Sequence, residues 1–203
     1  MNTETQEAPL QTNHSPLPPV KEPVRKEPFL GELIRFILIS LAIVIPLRMY
    51  VAEPFVVSGS SMFPTFETGN YLIVDQVSYR FDEPERGDVV VFEYPVDPSK
   101  FFIKRVIGLP GETIQIRDSQ VVVINDSYPD GLLLDEPYIG DVREGDTIVT
   151  LNEGDYFVMG DNRAASSDSR VWGPLPEENI VGKVFLRLFP IKEVGSLPGQ
   201  FHQ

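Results

Sequence analysis

An apolar stretch from Phe29 to Ala52, FLGELIRFILISLAIVIPLRMYVA, divides this sequence into parts that obey different rules. As a helix rising ~1.5 Å per residue it would reach about 36 Å, enough for a bilayer hydrocarbon core of ~30 Å. Its uncharged centre, Phe36 to Leu47, is only 12 residues long. Arg35 and Arg48 flank that centre, and their long stems can reach toward headgroups. A buried core helix and a cleaved leader are the other readings. The leader fits poorly, because the segment begins late and no small-x-small site follows Leu47. The segment is therefore read as a single transmembrane anchor over 29–52. Lys21, Arg25, Lys26 and Arg35 precede it, which predicts an N-terminus inside and the remainder outside.

On the N-terminal side, residues 1–28 hold six prolines and no apolar periodicity. That composition predicts a disordered cytoplasmic tail. On the other side the pattern is strand-like. The runs are Asn70–Val77, Gly87–Tyr94, Phe101–Ile107, Thr113–Arg117, Gln120–Asn125 and Asp155–Met159, separated by ETGN, ERGD, LPGE and NEGD turn signals. No long amphipathic helix follows the anchor. The fold class expected for 53–203 is mainly β, in an extracytoplasmic domain with a small β insertion around 113–150. Asn125-Asp126-Ser127 fits a glycosylation acceptor, a pattern too short to carry weight.

Composition removes several functions. The net charge is −13, which leaves nothing to neutralise phosphates, so nucleic acid is not an expected partner. Residues 53–203 carry all of that excess, 12 basic against 25 acidic side chains. Attraction to anionic lipid is therefore not what would hold the body at a bilayer. There are no cysteines, which excludes disulfides, thiolate metal sites and cysteine nucleophiles. The two histidines, His14 and His202, lie near the chain ends. A Ser-His-Asp triad and a histidine-rich zinc site both fall away, and no metal or cofactor is expected.

Three polar features remain. The loop Ser58 to Thr65, SGSSMFPT, has small residues that let a backbone approach a serine hydroxyl, although such loops are commonly only turns. In Phe101–Ile107, alternation puts Phe102, Lys104 and Val106 on one face. A lysine between apolar neighbours loses hydration, which lowers its pKa and allows a neutral amine to take a hydroxyl proton. The same lysine could equally sit on an edge strand and reach water. Gly160 to Pro174, GDNRAASSDSRVWGP, is dense in groups able to orient an amine, or is simply a polar loop with an internal Asp–Arg pair.

In order along the chain, these residues resemble type I signal peptidases, the Ser-Lys membrane proteases of bacterial export. SMFPT (Ser61–Thr65) resembles the nucleophile box, RGDVVVF (Arg86–Phe92) the next strand, KRVIGLPGE (Lys104–Glu112) the general-base box and GDNRAASSDSRVWG (Gly160–Gly173) the final box. The resemblance implies a signal-peptidase-like β-rich catalytic fold after one N-terminal transmembrane helix. It implies Ser61 as nucleophile, Lys104 as general base, and Ser166 as the hydroxyl that orients the lysine. Asp168 and Arg170 would hold the site's geometry, and Asp161, Asn162 and Arg163 match the start of the final box. Gly59 stands where some members have an oxyanion-hole serine. The hole would then rest on the Ser61 N–H, with help from Ser58 or Ser60. Phe55, Val57, Met62, Phe66, Phe102 and Ile103 would wall shallow apolar pockets. The implied substrates are signal peptides of exported preproteins with small residues at −1 and −3. The implied setting is the lipid bilayer of a cell membrane, crossed once by a monomer.

Overall fold

A computed structural model of the chain describes residues 29–50, 52–139 and 145–201. The tail expected over 1–28 and both histidines lie outside the described residues. Helix α1 runs Phe29–Tyr50. Apolar side chains at several angles around it are open, with Leu30, Phe36 and Ile43 all more than 60% exposed. Among the described residues, no helix is long and apolar enough to cross a membrane. The chain divides into two units, residues 1–40 and 41–203, and all of the β structure belongs to the second.

That unit is mainly β. Its strands are β1 (Ala52–Val56), β2 (Tyr71–Asp75), β3 (Val89–Tyr94), β4 (Asp97–Gly108), β5 (Thr113–Arg117) and β6 (Gln120–Asn125). They continue with β7 (Tyr128–Leu133), β8 (Thr147–Thr150), β9 (Asp155–Met159), β10 (Leu175–Pro176), β11 (Ile180–Phe189) and β12 (Gly195–Ser196). A four-residue helix, α2 (Ser169–Trp172), lies between β9 and β10. The larger sheet has the order β1-β2-β11-β3-β4-β9-β10, with β12 on β11, and the smaller has the order β7-β6-β5-β8.

Period-two patterning explains the smaller sheet. Ile114 and Ile116 on β5 and Val121 and Val123 on β6 point to one face and are fully buried. They meet Ile107 of β4 and Phe157 and Met159 of β9, so one apolar cluster is the seam between the two sheets. Each such side chain contributes about 2 kcal/mol on leaving water. The stretch 113–150 is thus a separate sheet packed on β4 and β9. Asn125 belongs to its support. Its Nδ2 donates to Glu112, and its Oδ1 accepts the N–H groups of Ser127 and Tyr128.

In β3 the rule changes. Val89, Val90, Val91 and Phe92 are all buried, because both faces of this strand are covered. Val89 and Val91 join a cluster with Met62, Phe66 and Leu72, while Val90 and Phe92 join another with Val106, Tyr156 and Leu175. The neighbouring strand β4 inherits two covered faces as well. It is also longer than its apolar run, because its hairpin with β3 reaches back to Asp97.

Strand β11 is the element that the apolar runs do not announce. It lies between β2 and β3, yet register shifts interrupt its ladders at Ile180/Gly182, Val184/Leu186 and Arg187/Phe189. Each bulge resets the alternation, so no stretch of β11 keeps a period of two long enough to stand out.

Candidate active site

Lys104 lies on β4, an interior strand of the larger sheet, and is 3% exposed. The edge-strand alternative for this lysine therefore does not hold. Strand β9 pairs with β4 only from Arg105 onward, so the preceding residues of β4 face the nucleophile loop on that side rather than another strand. Lys104 Nζ donates to Ser61 Oγ at 2.8 Å and to the Ile103 carbonyl at 2.8 Å. Burial is the main influence on the amine and brings its pKa down from 10.5 to about 8, against the opposing pull of Asp168 and Asp161.

Both of those carboxylates are already committed to arginines. Asp168 is wholly buried. Its Oδ1 accepts Arg170 Nε at 2.8 Å, and its Oδ2 accepts Arg170 Nη2 at 2.7 Å and the Gly160 N–H at 3.0 Å. Burial alone would push this carboxyl up, but the Arg170 guanidinium and the Gly160 N–H outweigh it and hold the pKa below the ordinary value. Asp161 takes Arg105 Nε at 2.8 Å and Nη2 at 2.6 Å, with both side chains 1% exposed. Neutralising each carboxylate with a guanidinium leaves little net negative field to hold Lys104 charged.

The serine loop is tied down through its backbone. Asn162 N–H donates to the Ser61 carbonyl at 3.0 Å, and Asn162 Nδ2 donates to the Ser60 carbonyl at 3.0 Å. Thr65 Oγ1 donates to Asp161 Oδ2. Gly160 lies so close that a Cβ there would come within 2.4 Å of the Ser61 carbonyl oxygen and 2.3 Å of Ser166 Oγ. Any side chain at 160 would push the serine loop away.

Phe55, Val57, Phe102 and Ile103 line a cavity of ≈ 410 Å³ together with Ser61 and Lys104. Ser58 and Ser60 also line it, and the Ser61 N–H has no acceptor among the described residues. Phe55 and Phe101 meet edge to face across the cavity at 5.5 Å. Met62 and Phe66, expected as pocket walls, are instead core residues at 1% and 0% exposure. Phe66 N–H bonds the Met62 carbonyl at 2.8 Å, so the two occupy one face of a single turn and both point inward. Ser166 also differs from expectation. Its Oγ is buried and meets no partner at full hydrogen-bond geometry, yet it lies close enough to Asp168 to help keep that carboxylate ionised. The second bond of the Lys104 amine goes to Ile103.

Arg105 is the feature that sequence reasoning missed. It is the largest fully buried side chain, and besides Asp161 it donates to the Gly87 carbonyl at 2.9 Å and to the Gly199 carbonyl. The ring of Tyr138 covers the guanidinium at 3.9 Å. The available signal was a charge alternating with Ile103 and Ile107, because a charge on an apolar strand face needs a partner. Arg163, at the start of the final box, pairs with Glu136 and donates to the Gly160 carbonyl.

The sequence matches the family described as signal peptidase, peptidase S26, over residues 30–189. It is 41% identical over 177 residues to the probable signal peptidase I-1 of Synechocystis sp., covering 83% of this chain and 87% of that protein. It is 36% identical over 198 residues to the signal peptidase I of Leptolyngbya laminosa, covering 90% and 93%. A crystal structure of a signal peptidase I from Enterococcus faecalis V583 is 31% identical, covers 51% of this chain and 97% of that one, and superposes with a TM-score of 0.44.

Proposed function

The chain belongs to the signal peptidase family, peptidase S26, and from that premise we propose that it removes signal peptides from exported preproteins with Ser61 as nucleophile and Lys104 as general base. The observation that carries the proposal is a buried amine with pKa about 8, 2.8 Å from a serine hydroxyl that opens on an apolar cavity. At pH 7 roughly a tenth of such an amine is neutral, against well under a thousandth for an ordinary lysine.

In the neutral form the 2.8 Å contact reverses, and the Ser61 hydroxyl donates to the amine lone pair. As Oγ attacks the scissile carbonyl, its proton passes to Lys104. The oxyanion is met by the Ser61 N–H, with the Ser58 or Ser60 hydroxyl as a second donor. Collapse of the tetrahedral species breaks the C–N bond, and the Lys104 ammonium returns the proton to the leaving amine. Water then attacks the acyl carbon while giving a proton to Lys104, and as the Oγ–acyl bond breaks Lys104 returns that proton to Ser61 Oγ, releasing the carboxyl product and restoring the neutral amine. Asp168 and Arg170 keep the final box folded under the amine, and Ser166 supports Asp168.

The cavity fits an extended peptide. Strand β1 is an edge strand, and the start of β4 has no partner on the side facing the serine loop. A substrate strand between them would gain backbone hydrogen bonds with little sequence demand. The shallow walls at Phe55, Val57, Phe102 and Ile103 leave room for small side chains next to the scissile bond. Helix α1, with apolar groups open on several sides, serves in this reading as the membrane anchor. The N-terminus is then cytoplasmic, and the β-rich unit acts outside as a monomer.

The test is cleavage of a preprotein with an Ala-x-Ala site by detergent-solubilised protein and by its Ser61→Ala and Lys104→Ala variants. Both variants are expected to keep the parent's circular dichroism and to lose cleavage at least a thousandfold. Normal turnover by either one refutes the dyad. Resistance of the parent to alkaline carbonate extraction from membranes tests the anchor.

A further inference from the structure

The segment Leu197–Phe201 packs against Thr65 and Phe66, lines no part of the cavity, and makes contacts that centre on Arg105. The Gly199 carbonyl accepts Arg105 Nη1, the nitrogen that also donates to Gly87. Gln200 Nε2 reaches Asp88 at 3.3 Å. The Phe201 ring packs edge to face on Tyr138 at 5.7 Å, and Tyr138 is the ring that covers the Arg105 guanidinium.

The fit leaves no slack. A Cβ on Gly87 would come within 1.6 Å of the Phe201 carbonyl oxygen, and one on Gly199 within 2.4 Å of Thr65 Cγ2. Thr65 is the residue whose hydroxyl bonds Asp161, the partner of Arg105. The next residue after Asp161, Asn162, holds the Ser61 and Ser60 carbonyls. A short chain of contacts therefore runs from Gly199 through Arg105 and Thr65 to Asp161, and from there to the backbone of the nucleophile.

We propose that Leu197–Phe201 is a positioning strap for the reaction, fixing Arg105 and Thr65 on Asp161 so that the Ser61 loop stays in register with Lys104. None of its residues lines the cavity or bonds to Ser61 or Lys104. An Arg105 that lost the Gly199 acceptor and the Tyr138 cover would swing toward water and carry Asp161 with it. Asn162 would then release the serine loop. The strap acts on geometry and lines no part of the cavity, so its loss lowers kcat and leaves substrate binding nearly unchanged.

This inference rests on the Ser61–Lys104 reading, and the experiment separates the two. Gly199→Ala aims one methyl at Thr65 Cγ2 and also strains a backbone held at φ +75°, a strain that the single and double variants share. Thr65→Ser removes that methyl and keeps the hydroxyl. Gly199→Ala, Thr65→Ser and the double variant are compared for kcat, KM and melting temperature on the preprotein assay, well below each midpoint. The expected result is a fall in kcat of tenfold or more for Gly199→Ala with KM within threefold. The double variant should recover at least threefold of that loss, because the clash with Thr65 is gone while the strain at φ +75° remains. A strap that only stabilises the fold would lower the melting temperature and keep kcat, and that outcome overturns the proposal. So does a double variant no better than Gly199→Ala. If Gly199→Ala does not fold, Phe201→Ala against Phe201→Leu asks the same question through the Tyr138 contact, with the leucine variant expected to retain kcat. Full activity in Ser61→Ala would instead defeat the underlying catalytic reading.

Discussion

Replacing Lys104 with methionine should abolish cleavage and make the protein more stable at neutral pH. The side chain is 3% exposed and its pKa falls from 10.5 to about 8, chiefly because burial penalises the ammonium. At about 1.4 kcal/mol per pH unit, that depression caps the cost of keeping the amine charged in the fold at about 3 kcal/mol. Methionine has a similar length and no charge to desolvate. It also leaves the Ile103 carbonyl without its Lys104 donor, which costs about 1 kcal/mol. The net expectation at pH 7 is a gain of about 1–2 kcal/mol, or roughly 2–6 °C in melting temperature for a domain of this size.

The pH dependence gives the sharper measurement. Between pH 8 and 10.5 the unfolded lysine still binds a proton that the folded one has released, so parent stability rises with pH across that window. The methionine variant lacks this contribution, so its advantage should shrink as pH rises from 8, vanish by about pH 9–9.5 and reverse by about 10.5. Urea unfolding of both proteins in detergent at pH 7 and pH 10 measures the difference, and groups common to both cancel. A variant less stable than the parent at pH 7, or an advantage independent of pH, would refute the desolvation argument.

Other expectations follow from the same geometry. Arg170→Gln leaves the charge of Asp168 without its guanidinium, so the acid limb of the pH–rate profile should move upward from about 8, and an unmoved limb excludes this compensation. Phe101→Ala removes the ring that meets Phe55 over the cavity; KM should rise severalfold with little change in kcat on saturating substrate. Asn125→Ala breaks a bond to Glu112 and two turn bonds in the smaller sheet. It should cost about 1–3 kcal/mol by chemical unfolding while kcat stays within twofold.

Much of the site was legible because its parts are local. Ser61 and Lys104 each sit in a short box, and alternation on Phe101–Ile107 already placed Lys104 between Phe102 and Val106. The strand assignments Thr113–Arg117 and Gln120–Asn125 match the observed strands for the same reason, a period of two, and Asp155–Met159 matches as a short continuous apolar run whose two faces are both covered. What escaped is long-range. Met62 and Phe66 looked like pocket walls because they adjoin the nucleophile, and only the turn that links them shows that they face inward. Arg105 carries no local sign of its partner, since Asp161 comes from β9's far end and the Gly199 carbonyl from near the C-terminus. Strand β11 is masked by its own bulges.

The position of β11 has a consequence in time. The larger sheet has a gap between β2 and β3 that only residues 180–189 can fill. Leu72 finds its partner in Arg187 and Val90 in Lys183, so these ladders close loops of about a hundred residues. Loop closure on that scale is slow, and it cannot finish until residues 180–189 have been synthesised. A nascent chain already carrying Ser61 and Lys104 therefore lacks the sheet that aligns them. The peptidase site comes into existence late relative to Ser61 and Lys104 themselves, and a peptidase assembled this way has little opportunity to cut neighbouring chains before β11 has docked.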